Sequence, residues 1–126
     1  MAQSWGGTKA EFFDLFEITA KHLKECFPDL KTGGPALAHN EEWAEDFLQE
    51  MQKRNVPLDF FSWHIYCTEP VHMAQKAERI KVLLNKYGYE NSESILNEWN
   101  YVKGWEEEFV YTLKAIHGIR LLYVQP

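Results

Sequence analysis

The run "ILNEWN", Ile95 to Asn100, places a carboxylate in a short strand-like segment. Glutamate is a poor strand former, so Glu98 needs a reason to be there. A second run, "LDFFSWHIY", ends with His64 and Tyr66 on alternating positions. If the two runs lie side by side, a carboxylate, an imidazole and a phenol converge. A carboxylate in such a place needs hydrogen-bond donors, and the ring N–H and the phenol supply them. The arrangement would present Glu98 to a ligand. The structural alternative is a glutamate satisfied by neighbouring backbone amides, and His64 alone is more commonly a satisfied core residue. Trp99 and Asn100 follow at once, Trp99 either as a pocket wall or as packing.

The elements that must position these residues alternate along the chain. Thr8 can cap a helix running to about Phe27, with Phe12, Phe16, Ala20 and Leu23 on one face. "LKTGGP" reads as a short strand closed by Gly33, Gly34 and Pro35. Asn40 can cap a second helix carrying Trp43, Phe47 and Met51, stopped by Asn55 and Pro57. In "LDFFSWHIY", Phe61, Trp63 and Ile65 point one way, and Phe60, Ser62, His64 and Tyr66 the other. Pro70 opens a third helix with Met73, Ala77, Ile80, Leu84 and Tyr87 on its buried face, and Gly88 ends it. "SILNEW" is the next strand, and strict alternation puts Ser94, Leu96 and Glu98 on one face, opposite Asn97 and Trp99. Trp105, Phe109, Leu113 and Ile116 mark a fourth helix, and "IRLLYV" a last strand. This order is an α/β, parallel βα-repeat architecture in a single domain over residues 1–126. In such folds chemistry gathers at the carboxyl ends of the strands.

Composition narrows the partners. The 126-residue chain has a net charge of -6, which argues against nucleic acid, whose phosphates call for a basic surface. Eight Phe, six Tyr and five Trp make a rich aromatic set, whose faces can pack a core or stack on sugars or bases. Trp5, Trp43 and Trp105 read mainly as core. No apolar run reaches the roughly 18 residues of a membrane span, and the first residues show no secretory signal, which makes a cytoplasmic location the default expectation. Cys26 and Cys67 lie far apart and read as reduced structural thiols rather than metal ligands or a disulfide. No metal and no cofactor are expected.

The ordered series "GGPA", "VPLDFFSWHIY" and "LNEWN", together with "FFDLFEITAKHLKECFPDLKTGGPA" and "WAEDFLQEMQKRNVPLDFFSWHIY", resembles glycoside hydrolase family 39 from about Trp5 to Gly118. That group comprises β-xylosidase-like and α-iduronidase-like retaining glycosidases. The resemblance implies part of a (β/α)8 TIM barrel, with the four strands here as the fifth to the eighth. It implies that Glu98 is the catalytic nucleophile at the end of the seventh strand. His64 and Tyr66 then line the sugar pocket at the end of the sixth, and Gly34 lies at the end of the fifth. Trp99 and Asn100 complete the implied substrate-binding set.

Two features depart from the family pattern. The general acid/base belongs to an Asn-Glu-Pro motif on the fourth strand, and that strand would precede the first residues of this chain. Asn40-Glu41 and Glu69-Pro70 hold pieces of the motif in the wrong βα units. A (β/α)8 barrel needs roughly 200 residues or more, so the chain reads as half of one. It is expected to act weakly or not at all alone, and to pair with a missing barrel half or a second copy, because open sheet edges invite pairing. The remaining readings are a non-catalytic carbohydrate-binding remnant and an α/β domain unrelated to sugars. The sugar, linkage and anomer are not written in these residues.

Overall fold

A computed structural model describes residues 5–100. The elements run α1 (Lys9–Cys26), β1 (Gly33–Leu37), α2 (Glu41–Lys53), β2 (Phe60–Tyr66), α3 (Pro70–Lys86) and β3 (Glu93–Asn100). The fourth helix and last strand expected from the sequence fall on residues outside this range. The three strands form one parallel sheet in the order β1-β2-β3. These are successive βα units of the kind that build a parallel barrel.

Local chemistry explains the helix limits. Thr8 closes a capping box on α1: its hydroxyl accepts from the Glu11 amide, and the Glu11 carboxylate accepts from the Thr8 amide. Asn40 Oδ1 accepts from the Trp43 amide at 3.0 Å and starts α2. Pro70 occupies the first turn of α3, where its missing N–H costs nothing. Asn55 (φ 52°) and Gly88 (φ 77°) turn the chain in the left-handed region after α2 and α3.

The helices cover one face of the sheet. Phe47, Phe61, Leu37, Leu48, Met51 and Ile80 are fully buried there, each contributing about 1.5–3 kcal/mol of apolar burial. Phe47 is the hub. Trp43 stacks on it at 5.4 Å and 9°, and Phe16 meets it edge-on at 4.9 Å. Phe61, Trp63 and Ile65 of β2 are buried on this side, as the period-two pattern requires.

β1 differs from the sequence expectation. Gly33 and Gly34 open the strand instead of closing it, pairing with Phe60 and Phe61 at the amino end of β2. Close approach explains the two glycines. A Cβ on Gly33 would lie 2.1 Å from the Phe60 carbonyl oxygen, and one on Gly34 would lie 3.2 Å from the Phe16 ring. Gly34 therefore sits low in the sheet beneath α1, not at the carboxyl rim where the resemblance put it. Gly33→Ala drives backbone apart between β1 and β2. It is expected to lower unfolding free energy by about 3 kcal/mol in urea denaturation.

Asp59 ties the amino ends of all three strands. Its carboxylate accepts from the Thr32 amide at 2.7 Å, its own amide donates to the Thr32 carbonyl at 2.7 Å, and its carbonyl accepts from the Glu93 amide at 2.9 Å. Lys24 Nζ lies 2.8 Å from the same carboxylate. Burial opposes ionisation of Asp59, but Lys24 and the Thr32 amide outweigh it and hold the carboxyl below its usual range. A depressed carboxyl contributes stability that is present above its unfolded value, near 4, and is lost as pH falls through the folded value. Melting temperatures measured below pH 4 should therefore converge for the native protein and Asp59→Asn. Above pH 5 the native protein should melt higher.

Candidate active site

The carboxyl ends of β2 and β3 carry the candidate site. From Phe60↔Glu93 to Trp63↔Leu96 the two strands run in simple register. A bulge then intervenes, and pairing resumes at His64↔Glu98, Ile65↔Trp99 and Tyr66↔Asn100. Asn97 is the extra residue. Neighbours in register on adjacent parallel strands project to the same face. Leu96 therefore lies with Trp63 on the helix-covered side, and Glu98 lies with His64 on the other. Trp63 Nε1 donates to Ser94 Oγ at 3.0 Å, which fixes Ser94 on the helix side as well.

This corrects the strict alternation expected from sequence. Ser94 and Leu96 share a face, but Glu98 does not join them. Without the bulge Glu98 would stand opposite Ile65 and drive a carboxylate into the core. With it, Glu98 emerges beside the two polar residues of β2. Trp99, in register with Ile65, packs against the hydrophobic core, so the packing alternative is the one the register favours. Asn100 shares the polar face with Tyr66, and its carbonyl accepts from the Cys67 amide at 3.2 Å.

Glu98 is contacted through both carboxylate oxygens. The Tyr66 hydroxyl donates to Oε1, and His64 Nδ1 lies 3.6 Å from Oε2. The side chain of Glu98 is 45% exposed while that of His64 is 15% exposed, so the carboxylate is held from one side and open on the other. Hydrogen bonding to Glu98, then burial, then the carboxylate charge push the Tyr66 phenol up to about 12. Ser62, also on this face, accepts from the Ala36 amide at 2.9 Å and closes the floor toward β1.

The other carboxylates that drew notice have different duties. Glu41 is gripped by the Arg79 guanidinium through both oxygens at 2.9–3.0 Å. Glu69 is the N-cap residue of α3. Cys26 and Cys67 are free thiols, Cys26 exposed. Among the described residues no group of three or more His, Cys, Asp or Glu is placed to hold a metal ion. Among them also no helix is long and apolar enough to cross a membrane. Lys76 was missed. It is 6% exposed, and its ammonium donates to the Ala38 carbonyl at 2.6 Å and the His64 carbonyl at 2.8 Å. The signal was available, because Lys76 falls three residues after Met73 and four before Ile80, on the buried stripe of α3.

Comparison with known proteins identifies the family. The profile of Glycosyl hydrolases family 39 matches residues 3–105, most of the chain. The chain belongs to that family. A β-xylosidase of Geobacillus stearothermophilus is 43% identical over 65 residues, which are 51% of this chain and 13% of the relative. One from Caldicellulosiruptor saccharolyticus is 37% identical over 65 residues, 52% of this chain and again 13% of the relative. A solved glucosidase from Croceicoccus marinus superposes with a TM-score of 0.75 and 29% identity, over 83% of this chain and 23% of that one. The family 39 enzyme of Xanthomonas axonopodis pv. citri has the same fold, with a TM-score of 0.66 and 22% identity over 77% of this chain and 22% of that one. The matched stretch thus covers about an eighth of the length of these curated relatives.

Tyr66 reports directly on the carboxylate. Replacing Glu98 with Gln weakens the hydrogen bond that holds the phenol neutral and removes the carboxylate charge behind it. The Tyr66 midpoint should then fall from about 12 toward the ordinary value of 10 in a spectroscopic titration. The sign follows: a raised phenol contributes stability that is full below pH 10 and fades as pH rises through 12.

Proposed function

We propose that this chain carries the nucleophile side of a retaining glycosidase site, with Glu98 attacking the anomeric carbon of a β-xyloside-like substrate. The observation that supports it most is the pairing of Glu98 with Tyr66 at the open carboxyl rim of the sheet. A nucleophilic carboxylate must be ionised, oriented and reachable. Tyr66 donates to one oxygen and orients the carboxylate. His64 borders the other oxygen and limits its rotation. The exposed side is free for a sugar ring.

Retaining hydrolysis proceeds in two displacements. Glu98 forms a bond to the anomeric carbon as the glycosidic C–O bond breaks, and the leaving oxygen takes a proton from a second carboxylic acid. Water, deprotonated by that same group, then attacks the anomeric carbon and releases Glu98. The two carboxyl groups must stand about 5–5.5 Å apart. The family resemblance puts the second one on the strand before α1, which is the neighbour of β1 in a barrel. The β-xylosidase relatives favour a xyloside in the pocket. The glucosidase and rhamnosidase names among the similar proteins make sugar selectivity a matter for residues beyond β2 and β3.

The experiment is hydrolysis of aryl β-xylosides by the full-length protein, with and without azide. Aryl leaving groups need little acid assistance, so the nucleophile alone decides the first step. Glu98→Ala should reduce turnover by at least about 10⁴-fold, and azide should restore glycosyl transfer to yield a glycosyl azide of inverted configuration. Turnover that survives in Glu98→Ala would remove Glu98 from the chemistry. Sugar binding without turnover in the native protein would mark a carbohydrate-binding site instead.

A further inference from the structure

Lys76 is a buried cation that the two-displacement chemistry does not use. Its ammonium lies 5.9 Å from the Trp63 ring centroid and donates to the carbonyls of Ala38 and His64. Its place in the sheet explains why it is there. β1 pairs with β2 only as far as Leu37↔Trp63, whereas β2 continues to Tyr66 beside β3. The stretch of β2 that outruns β1 is His64, Ile65 and Tyr66, the part that carries both residues facing Glu98. Where β1 has left the sheet, the Lys76 ammonium supplies the donor that a neighbouring strand would otherwise provide. A charged donor also binds a carbonyl more strongly than an amide does.

We propose that Lys76 is a positioning residue of the site: by tying the His64 carbonyl to the end of β1, it fixes His64 and Tyr66 in register against Glu98. Its catalytic consequence rests on Glu98 being the nucleophile; its geometric consequence does not. The charges around it come from three elements. Glu41 of α2 attracts the ammonium and Arg79 of α3 repels it, while Glu98 of β3 is reached through His64. Burial, the largest influence, pushes the Lys76 pKa down, and Glu41 opposes it. A side chain with no donor would take the Lys76 hydrogen bonds from two part-buried carbonyls at the place where β2 must hold its line.

The test uses the full-length protein with carbon-13 at the tyrosine Cζ, the Tyr66 signal being assigned with Tyr66→Phe. In Lys76→Met the Tyr66 midpoint should move from about 12 toward 10, because the phenol no longer meets Glu98 squarely. Covalent labelling of Glu98 by a dinitrophenyl 2-deoxy-2-fluoro-β-xyloside should slow by roughly 10- to 100-fold, the loss expected from a displacement of about 1 Å. Lys76→Arg, which keeps a charged donor, should retain more of both properties. A Lys76→Met protein that melts earlier but keeps Tyr66 at about 12 would overturn the assignment, since lowered stability alone is what a merely structural lysine predicts. Should Lys76→Met fail to fold, the native protein decides: the Tyr66 and Glu98 signals should shift at the midpoint where the Lys76 Cε signal titrates. Lysine deprotonation that leaves both unmoved would overturn the proposal equally. A native protein whose Glu98 resists labelling would sink the glycosidase reading, while the Tyr66 titration would still judge Lys76.

Discussion

A single extra residue in β3 governs the polar face of the sheet. Strands have a side-chain period of two, so a shift of one residue exchanges the faces. Asn97 introduces that shift between Leu96 and Glu98. Below it, β3 lends apolar side chains to the core. Above it, β3 lends a carboxylate to the rim. One short strand thereby serves both the interior, through Leu96 and Trp99, and the open face, through Glu98, without a buried unpaired charge. Among the described residues no buried side-chain polar atom lacks a hydrogen-bond partner.

The sheet that carries this bulge is fastened at both ends by charged side chains. At the amino end Asp59 accepts from Thr32 and meets Lys24, and Lys31 pairs with Glu93. At the carboxyl end Lys76 reaches across from α3 to the Ala38 carbonyl, just past β1, and the His64 carbonyl of β2. Between them the aromatic cluster around Phe47 fixes the distance between helices and sheet. The amino-end group acts on folding, and the carboxyl-end group acts on the alignment of functional side chains.

Much of this was legible in the sequence, for definite reasons. The three described helices followed from apolar spacing, from caps at Thr8 and Asn40 and from Pro70 in the first turn of α3, because these signals are local. β2 followed from its alternation, since one of its faces is wholly buried. The residues Glu98, His64 and Tyr66 could be singled out because polar side chains at strand ends are conspicuous. What escaped was set by contacts between distant segments. The bulge depends on how β3 meets β2, and no local pattern in "SILNEW" announces it. The start of β1 depends on Gly33 passing close to the Phe60 carbonyl, twenty-seven residues away. Lys76 was hidden by its charge: its position on the apolar stripe was plain, but lysine is usually expected in water.

The two faces of β2 also bear on how such a site can change over time. Phe61, Trp63 and Ile65 face the helix-covered core, and Ser62, His64 and Tyr66 face the other side of the sheet. Alternate codons of one short segment thus answer to different selective pressures. A new sugar preference can be explored at one set while the other keeps the protein folded. The extra residue at Asn97 extends this separation to the neighbouring strand, so the pocket can drift in chemistry above a scaffold that stays the same.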